Sequence, residues 1–358
     1  MRDAGRTTPV RIVRFADPAQ LADPETLATL AGPIQSLERS PLETIGFTTA
    51  RHERLEVTLR TGEHRAFVVK RIQPSTDWTS CRSSDRHGRE AAMLAEPALG
   101  AIWEALECPY LAFAMRDDDV ALVMEDLTPH LFPDVREPLA EEQEERLLAA
   151  LAALHARFWS ASALELPWLA QPEHFAGLLD ACCAADPQAC APLPEAMRGN
   201  VIRGWEAALK RLPPAVTRVL AAPATQVTWL WDGLPRTLLH GDTKVANFAI
   251  LPNRRVAAID WALLGTGPPT IDVGWYLAVN ATRLTGTKEN TLRRYRALLE
   301  ACTPAPLPDA TWEALVRAGI VIGARMLLWS KALAVEADRP GARAEWGWWA
   351  EQLDGACS

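Results

Sequence analysis

The residues that could do chemistry are concentrated in residues 238–261, which read LLHGDTKVANFAILPNRRVAAIDW. Leu238 and Leu239 are apolar and would anchor the loop that follows them. This loop carries the carboxylate of Asp242 and, five residues later, the amide of Asn247. A carboxylate on a loop is suited to orient an acceptor hydroxyl group and to take its proton.

Two short apolar runs after Asn247 predict a hairpin that returns a second carboxylate to the loop. FAIL (248–251) and VAAI (256–259) predict its strands, and Pro252-Asn253 begins the turn between them. Such a hairpin places Asp260 beside Asn247, so that one carboxylate and one amide oxygen converge. These ligands suit Mg²⁺ that carries a nucleotide phosphate, while the loop carboxylate lies opposite and is free to hold a hydroxyl group.

The order HGD-x-K-x-x-N, hairpin and IDW resembles the catalytic and metal-binding loops of the aminoglycoside phosphotransferase and choline kinase-like superfamily, whose members are relatives of protein kinases. Protein kinases have a catalytic-loop Asp, an Asn ligand and a DFG Asp in this order. Gly241 stands where a protein kinase usually has Arg, and Trp261 stands where DFG has Phe. Both departures point to the small-molecule branch.

The resemblance implies a role for each polar residue of the segment. Asp242 would be the catalytic residue, and Asn247 and Asp260 would be the metal ligands. Lys244 would face the transferring phosphoryl group, as in the Ser/Thr protein-kinase pattern, or else lie at the surface. His240 is expected to hold the loop by hydrogen bonds rather than to act as a general base.

The resemblance extends to residues that would bind the nucleotide. Lys70, in FVVKRI, resembles the strand lysine that contacts the α- and β-phosphates, and the apolar residues 67–69 would pin it to a buried strand. Glu90 resembles its ion-pair partner, with Glu96 as the competitor. Both glutamates could instead be solvated helix residues.

Two further segments are candidates for nucleotide contacts. Met124-Glu125-Asp126-Leu127 resembles the interlobe linker, so the backbone of Glu125 and Leu127 would hold adenine. No GxGxxG precedes the predicted strands, and only Gly46 is available for a phosphate-covering loop. The resemblance therefore predicts ATP and Mg²⁺ as cofactors but leaves the phosphate-covering loop poorly defined.

Several other polar and aromatic residues have structural interpretations. His155 lies on the apolar face of a predicted helix and is expected to be a core histidine with its hydrogen bonds satisfied. Asp272 resembles the residue that braces the loops, although it could be an ordinary helix cap. Most of the fourteen Trp residues should be core, and a few could line an acceptor pocket: Trp231, Trp275, Trp346, Trp348 and Trp349.

The predicted elements indicate an α+β class with a two-lobed, protein-kinase-like fold. Residues 54–60 and 65–72 predict an antiparallel hairpin, a helix is expected from Arg89 to Leu106, and residues 120–124 predict a buried strand. Asp17 and Asp23 would cap two short helices before them. The antiparallel β-sheet N-lobe would span residues 1–127 and bind the nucleotide.

The mainly helical C-lobe would span residues 128–358 and carry the catalytic loop, the metal site and the acceptor pocket. Its last helices are expected over residues 290–300, 310–336 and 340–352. Gly319 and Gly323 suggest close helix packing.

Composition limits the partners and the setting. The formal net charge of −8 argues weakly against nucleic acid as a partner. The sequence has no run of eighteen apolar residues, so no membrane span is expected. The N-terminus lacks the apolar core of a signal peptide. Seven scattered cysteines favour a reducing, cytoplasmic setting. Cys182, Cys183 and Cys190 cluster, but free thiols are expected there rather than a zinc site.

The function predicted from these residues is Mg-ATP-dependent phosphoryl transfer to a hydroxyl group of a small molecule. An aminoglycoside or other antibiotic, a sugar, an amino alcohol and a nucleoside-like compound all remain open as acceptors. The alternative is a catalytically silent, kinase-fold nucleotide-binding protein. A protein kinase is disfavoured, because the stretch after Asp260 is too short for an activation loop and contains no Ala-Pro-Glu.

Overall fold

The computed structural model describes residues 11–43 and 49–357, in which a β-sheet precedes a region made mainly of helices. The six strands of the large sheet lie between Val13 and Glu125, and every described helix of more than eight residues lies after them. This arrangement confirms the predicted α+β class, with an antiparallel-rich N-terminal lobe and a helical C-terminal lobe.

The large sheet contains more strands than the sequence predicts. Its strands are β1 (Val13–Phe15), β2 (Ile34–Pro41), β3 (Arg51–Leu59), β4 (His64–Ile72), β5 (Tyr110–Arg116) and β6 (Asp119–Glu125). They follow the order β1-β5-β6-β4-β3-β2, and all neighbours are antiparallel except β1 and β5. The predicted hairpin is the β3–β4 pair, whereas β1, β2 and β5 have no counterpart in the sequence-based elements.

The alternation of side chains along β4 directs one charged side chain toward the helical lobe. Phe67 packs in a small core that includes helix α1 (Pro24–Ala31). Val68 and Ile72 belong to the large core that continues into the helical lobe. Because successive side chains of a strand point to opposite faces, Lys70 lies on the same face as Val68 and Ile72.

The two N-terminal helices occur where the capping residues predicted them. Asp17 precedes a 3₁₀ turn (Pro18–Ala22) and accepts the Ala19 N–H at 2.9 Å. Asp23 occupies the N-cap position of α1, but its side chain makes no capping hydrogen bond.

The prediction of a single helix from Arg89 to Leu106 is wrong. The segment after α2 (Trp78–Arg82) contains α3 (Arg89–Ala95), a 3₁₀ turn (Pro97–Leu99) and α4 (Ile102–Ala105). Glu96 has φ −95° and ψ 108°, as expected because the ring of the following Pro97 disfavours the helical conformation.

One helix lies at the centre of the C-terminal lobe. The helices are α5 (Glu141–Arg157), α6 (Pro172–Gly177), α7 (Cys182–Ala185), α8 (Glu195–Leu209), α9 (Pro214–Ala221), α10 (Thr270–Val279), α11 (Lys288–Cys302), α12 (Asp309–Glu336) and α13 (Ala342–Cys357). The central helix α12 packs against α8, α10 and α13. A Cβ on Gly274 would overlap the Gly319 backbone, and one on Gly323 would overlap the Gly274 backbone. The close helix packing predicted from Gly319 and Gly323 is therefore present between α10 and α12.

Helix α12 also has the length and apolar composition of a membrane span, with a mean hydropathy of 1.5 over its most apolar stretch. Within the protein, 67% of that stretch is buried. Such burial is typical of the core helix of a folded domain.

Cys183 and Cys190 form a disulfide, with their Cα atoms 5.3 Å apart. This bond corrects the expectation of free thiols at these two positions, whereas Cys182 is free. Across residues 11–43 and 49–357, no group of three or more His, Cys, Asp or Glu side chains is arranged to hold a metal ion.

Two small sheets support the segment around Asp242. Strand β7 (Thr237–Leu239) pairs with β10 (Gly265–Gly267), and β8 (Phe248–Ile250) pairs with β9 (Val256–Ala258). The second pair is the predicted hairpin, and it returns the chain to Asn247.

Candidate active site

The loop after β7 begins with a tight turn at Gly241, whose φ is 85°. Residues with a Cβ are strained in this left-handed region. A Cβ here would also overlap the carbonyl oxygen of Leu263. The backbone of residue 263 thus fills the space that a side chain would need, which explains why glycine stands where protein kinases usually have arginine.

The side chain of Asp272, in the first turn of α10, holds this loop by accepting hydrogen bonds from the loop backbone. Its Oδ2 accepts the His240 N–H and its Oδ1 accepts the Gly241 N–H, each at 2.8 Å. The fully buried His155 contacts Asp272 through Nε2 (3.1 Å) and the Tyr295 hydroxyl through Nδ1 (2.5 Å). The expectations that Asp272 braces the loop and that His155 is a satisfied core histidine are confirmed.

The His240 ring joins the loop to the segment that carries Asp260. Its Nδ1 accepts the Asp242 N–H (3.2 Å), so Nε2 carries the proton and donates to the Ile259 carbonyl oxygen (3.1 Å). The ring also packs on Trp261, with centroids 4.3 Å apart. Because both nitrogens are engaged with backbone groups, His240 has the structural role that the sequence predicted.

Asp242 is held by two neutral donors. Its Oδ1 accepts the indole N–H of Trp275 (2.7 Å), and its Oδ2 accepts an amide hydrogen of Asn247 (2.9 Å). Burial and the nearby charge of Asp260 raise the pKa of Asp242, and the two hydrogen bonds oppose this rise. The side chain is therefore a fixed carboxylate of raised proton affinity, which is the property that a proton acceptor needs.

Asn247 and the residue before Asp260 are joined by a backbone hydrogen bond. The Asn247 amide nitrogen also donates to the Asp242 carbonyl oxygen (3.0 Å), so both amide hydrogens are used and its Oδ1 is free for a ligand. The Ile259 N–H donates to the Asn247 carbonyl oxygen (3.0 Å) and brings Asp260 alongside. One carboxylate and one amide oxygen fit Mg²⁺ that binds nucleotide phosphates and keeps its waters, rather than a cage made only of protein ligands.

The backbone of Asp260 is held in an uncommon conformation, with φ 65°. A residue other than glycine rarely adopts this left-handed region, although Asp and Asn do so more than others. The preceding residue is tied to His240, and the following indole donates to the Ala258 carbonyl oxygen (3.2 Å). Strain of this kind persists where the surrounding contacts fix it, as at functional sites.

Lys70 connects the sheet to the Asp260 segment. Its Nζ lies 2.7 Å from Glu90 Oε2 and 2.7 Å from Asp260 Oδ1, and the Tyr110 hydroxyl donates to Glu90 Oε1 (2.6 Å). Burial lowers the pKa of Lys70, but the two carboxylates outweigh it and hold the pKa above its usual value. For Asp260, burial raises the pKa, but the attraction of the Lys70 ammonium is stronger and holds this pKa below its usual value. Lys70 and Asp260 are thus both charged near neutral pH.

The structure distinguishes the two glutamates that the sequence offered as partners of Lys70. Glu90 is 1% exposed and binds the ammonium. Glu96 instead accepts the Ala98 N–H (3.0 Å) and caps the 3₁₀ turn that follows it.

Three of the remaining candidates make contacts outside this set of residues. Glu125 ends β6 and forms an ion pair with Arg65, whereas Leu127 is buried in a small apolar cluster. Lys244 forms an ion pair with Asp134 (2.8 Å). Gly46 lies outside the described residues.

The sequence matches the model of the phosphotransferase enzyme family over residues 50–308, well over half of the chain. The chain belongs to this family. The match confirms the resemblance to the aminoglycoside phosphotransferase and choline kinase-like superfamily, and the protein is a small-molecule phosphotransferase. Among curated protein sequences, no relative matches it.

Solved structures with a similar fold cover most of this phosphotransferase. Choline kinase LicA from Streptococcus pneumoniae is 14% identical, with a TM-score of 0.47 over 92% of this chain and 97% of its own. An aminoglycoside phosphotransferase from Alicyclobacillus acidocaldarius is 15% identical, with a TM-score of 0.43 over 99% and 97%. An ethanolamine kinase from Plasmodium vivax is 11% identical, with a TM-score of 0.45 over 90% and 83%.

The sequence analysis did not predict the contacts that three residues make around the candidate site. Trp275 was only one of several pocket candidates, and no sequence pattern indicated its contact with Asp242. Tyr110 lies on the unpredicted β5. Arg89, which is 1% exposed, donates to the carbonyl oxygens of Trp168 and Ala262 (2.9 Å each) and so ties α3 to the segment after Asp260.

Proposed function

We propose that this protein transfers the γ-phosphoryl group of Mg-ATP to a hydroxyl group of a small molecule. The observation that carries this proposal is the continuous set of contacts from Lys70 through Asp260 to the loop of Asn247 and Asp242. Lys70 and Asp260 are 190 residues apart in sequence, yet they form a direct ion pair. A phosphotransferase needs a cation for the nucleotide, a metal site and a proton acceptor close together, and these contacts supply all three.

The nucleotide would lie between the sheet and the helical lobe. We propose that Lys70, positioned by Glu90, contacts its phosphates and that the loop around Gly46 covers them. Asp126 donates its N–H to Ala66 on the neighbouring strand (3.0 Å). Because alternate peptide groups of an extended segment point to opposite sides, the Glu125 carbonyl and the Leu127 N–H would point away from that strand, toward adenine.

The divalent cation would be held by Asn247 Oδ1 and the Asp260 carboxylate. When bound, Mg²⁺ neutralises charge on the nucleotide phosphates and orients them. Asp260 is suited to this role because its pKa lies below the usual value, so it is ionised at neutral pH. The proposed ligand pair fits the donor set of one carboxylate and one amide oxygen described above.

Asp242 would orient the acceptor hydroxyl and take its proton. The hydroxyl oxygen attacks the γ-phosphorus, and the bond between that phosphorus and the β–γ bridging oxygen breaks. ADP leaves with the bridging oxygen, and the hydroxyl proton passes to Asp242. Positioning and charge neutralisation would supply most of the rate enhancement, because direct attack by the acceptor hydroxyl needs no covalent nucleophile from the protein.

Lys244 is proposed to contact the transferring phosphoryl group, and this role requires its ammonium to leave Asp134. The side chains of Lys244 and Asp134 are 28% and 33% exposed. An ion pair of this exposure contributes at most about 1 kcal/mol, so exchanging the Asp134 carboxylate for a phosphate would cost little.

The division into a nucleotide-binding lobe (1–127) and a lobe with the acceptor pocket (128–358) belongs to the same proposal, as does a cytoplasmic setting without nucleic acid or membrane partners. The acceptor classes to be compared are aminoglycosides, amino alcohols, sugars and nucleosides. Each offers the hydroxyl group that the proposed reaction needs.

The proposal is tested by measuring ADP release from Mg-ATP with that panel of acceptors, with Asp242→Asn as the control and nucleotide binding measured separately. Acceptor-dependent ADP release that disappears in the variant would support the proposed reaction and identify the acceptor class. Mg-dependent nucleotide binding without turnover by any member of the panel would favour the silent nucleotide-binding protein.

A further inference from the structure

Trp275 and Asp272 lie three residues apart on α10, and both contact the catalytic loop. Asp272 accepts backbone N–H groups of the loop, whereas the Trp275 Nε1 donates to Asp242 Oδ1 at 2.7 Å. Residues three apart share one face of a helix, so a single helix surface fixes the loop backbone and the loop's carboxylate together.

We infer that Trp275 is a positioning residue for phosphoryl transfer, because its indole N–H holds the Asp242 carboxylate in the orientation that receives the acceptor hydroxyl. This inference rests on the proposed function. It assigns to a half-buried tryptophan, which the sequence identified only as a possible pocket residue, a contact with the group that takes the proton.

The geometry supports an orienting role rather than simple packing. A carboxylate on a loop can rotate about its last side-chain bond, and one hydrogen bond alone does not fix its plane. Asp242 has two, because Trp275 donates to Oδ1 and Asn247 donates to Oδ2 at 2.9 Å. Each carboxylate oxygen accepts about two hydrogen bonds, so each retains a site for the substrate hydroxyl.

The packing of α10 against α12 fixes the backbone that carries Trp275. Gly274 precedes Trp275, and there is no room for a Cβ between Gly274 and the Gly319 backbone of α12. Because this contact is between backbones, α10 cannot turn on its axis without losing it. The backbone from which the Trp275 side chain projects toward Asp242 is thus held in place by helix packing, which favours a preorganised donor.

The test compares Trp275→Phe with wild type, since phenylalanine keeps an aromatic ring but lacks the N–H group. Trp329→Phe is the matched control, because its indole N–H donates to the Met326 carbonyl within its own helix (3.0 Å). For Trp275→Phe we expect kcat to fall roughly 10- to 100-fold, as for one lost hydrogen bond to a charged group, with an unchanged Kd for Mg-nucleotide. Trp329→Phe should keep the wild-type kcat.

A spectroscopic measurement detects the hydrogen bond between Trp275 and Asp242 without any acceptor substrate. In protein labelled with ¹⁵N-tryptophan, the indole N–H signal that disappears in Trp275→Phe should move more than any other indole signal in Asp242→Ala. If Trp275→Phe fails to fold, 3-benzothienylalanine at position 275 replaces the N–H with sulfur at nearly constant shape, and the same loss of kcat is expected.

The outcomes separate this inference from the proposed function. An active wild type with an unchanged kcat in Trp275→Phe, or an indole signal that Asp242→Ala leaves in place, would overturn the positioning role and leave phosphoryl transfer intact. A wild type that binds Mg-nucleotide but phosphorylates no acceptor would remove the proposed function, and the positioning role would fall with it.

Discussion

Lys70 Nζ lies 2.7 Å from Oδ1 of Asp260, and this contact joins a central strand of the N-terminal sheet to the segment after β9 in the helical lobe. The same ammonium binds the buried Glu90. The residue proposed to bind phosphate and the residue proposed to bind the cation are therefore adjacent, although they belong to different lobes. Changes at either residue should affect both stability and nucleotide binding.

Replacing Lys70 should destabilise the protein through Glu90. Among the described residues, Lys70→Met leaves the Glu90 carboxylate, which is 1% exposed, with the Tyr110 hydroxyl as its remaining partner. Breaking a buried ion pair costs about 3–5 kcal/mol. The double variant Lys70→Met/Glu90→Gln should regain part of this loss, because it removes the unpaired carboxylate at position 90. Urea unfolding of the wild type, both single variants and the double variant measures the coupling. Strictly additive losses would contradict it.

Removing Asp260 should weaken nucleotide binding only when the divalent cation is present. In Asp260→Ala the cation loses its one carboxylate ligand, and we expect the affinity for Mg-nucleotide to fall roughly 10-fold or more, by analogy with the loss of a charged hydrogen-bond partner. Affinity in the presence of a chelator should change little. Asp338→Ala, at a side chain that is 81% exposed, serves as the control. Equal losses with and without Mg²⁺ would exclude Asp260 as a metal ligand.

Phosphoryl transfer and nucleotide binding should have different pH dependences. Burial and the charge of Asp260 raise the pKa of Asp242, so this carboxylate takes up a proton first as the pH falls. The Lys70 ammonium holds the pKa of Asp260 below its usual value, so Asp260 stays ionised at lower pH. Turnover should therefore be lost at a higher pH than Mg-nucleotide binding. Calorimetric binding and ADP release measured over the same pH series test this order, and coincident curves would contradict it.

Gly241→Ala should lower both stability and turnover. The substitution places a Cβ at φ 85°, at a cost of about 1–2 kcal/mol, and against the Leu263 carbonyl oxygen, which must move. Gly347→Ala in α13 is the control, because a Cβ there meets nothing within 4 Å and a helical alanine is favoured. The thermal unfolding temperature of Gly347→Ala should equal or exceed that of the wild type, and that of Gly241→Ala should be lower. A Gly241→Ala variant as stable and active as wild type would refute the steric argument.

Local patterns in the sequence predicted much of the fold and the site. The β3–β4 hairpin alternates apolar and polar residues, and the loop and hairpin around Asn247 and Asp260 are short-range features. Their spacing, together with the family resemblance, predicted that Lys70, Glu90, Asp242, Asn247 and Asp260 form one site. In the structure Lys70 binds Glu90 and Asp260, Asn247 binds Asp242, and a backbone hydrogen bond from Ile259 to Asn247 connects the two groups.

Two of the features that the sequence did not predict depend on contacts between distant residues, and a third is local. Strand β2 has only Ile34 and Leu37 as large apolar residues and is mostly exposed, so no alternation predicts it. The break in the segment after Arg89 is local, and Pro97 could have indicated it. The bond between Trp275 and Asp242 depends on where α10 packs against α12, and no spacing within either segment encodes that position.

The most direct test of the account is the rate of phosphoryl transfer by Asp242→Asn compared with wild type, at saturating Mg-ATP and with an acceptor identified by the panel. The account predicts a loss of about 10²–10⁴-fold in kcat, the usual contribution of a general base, with a Kd for Mg-nucleotide within twofold of wild type. A variant that transfers phosphate at the wild-type rate would contradict the assignment of Asp242 as the residue that receives the proton.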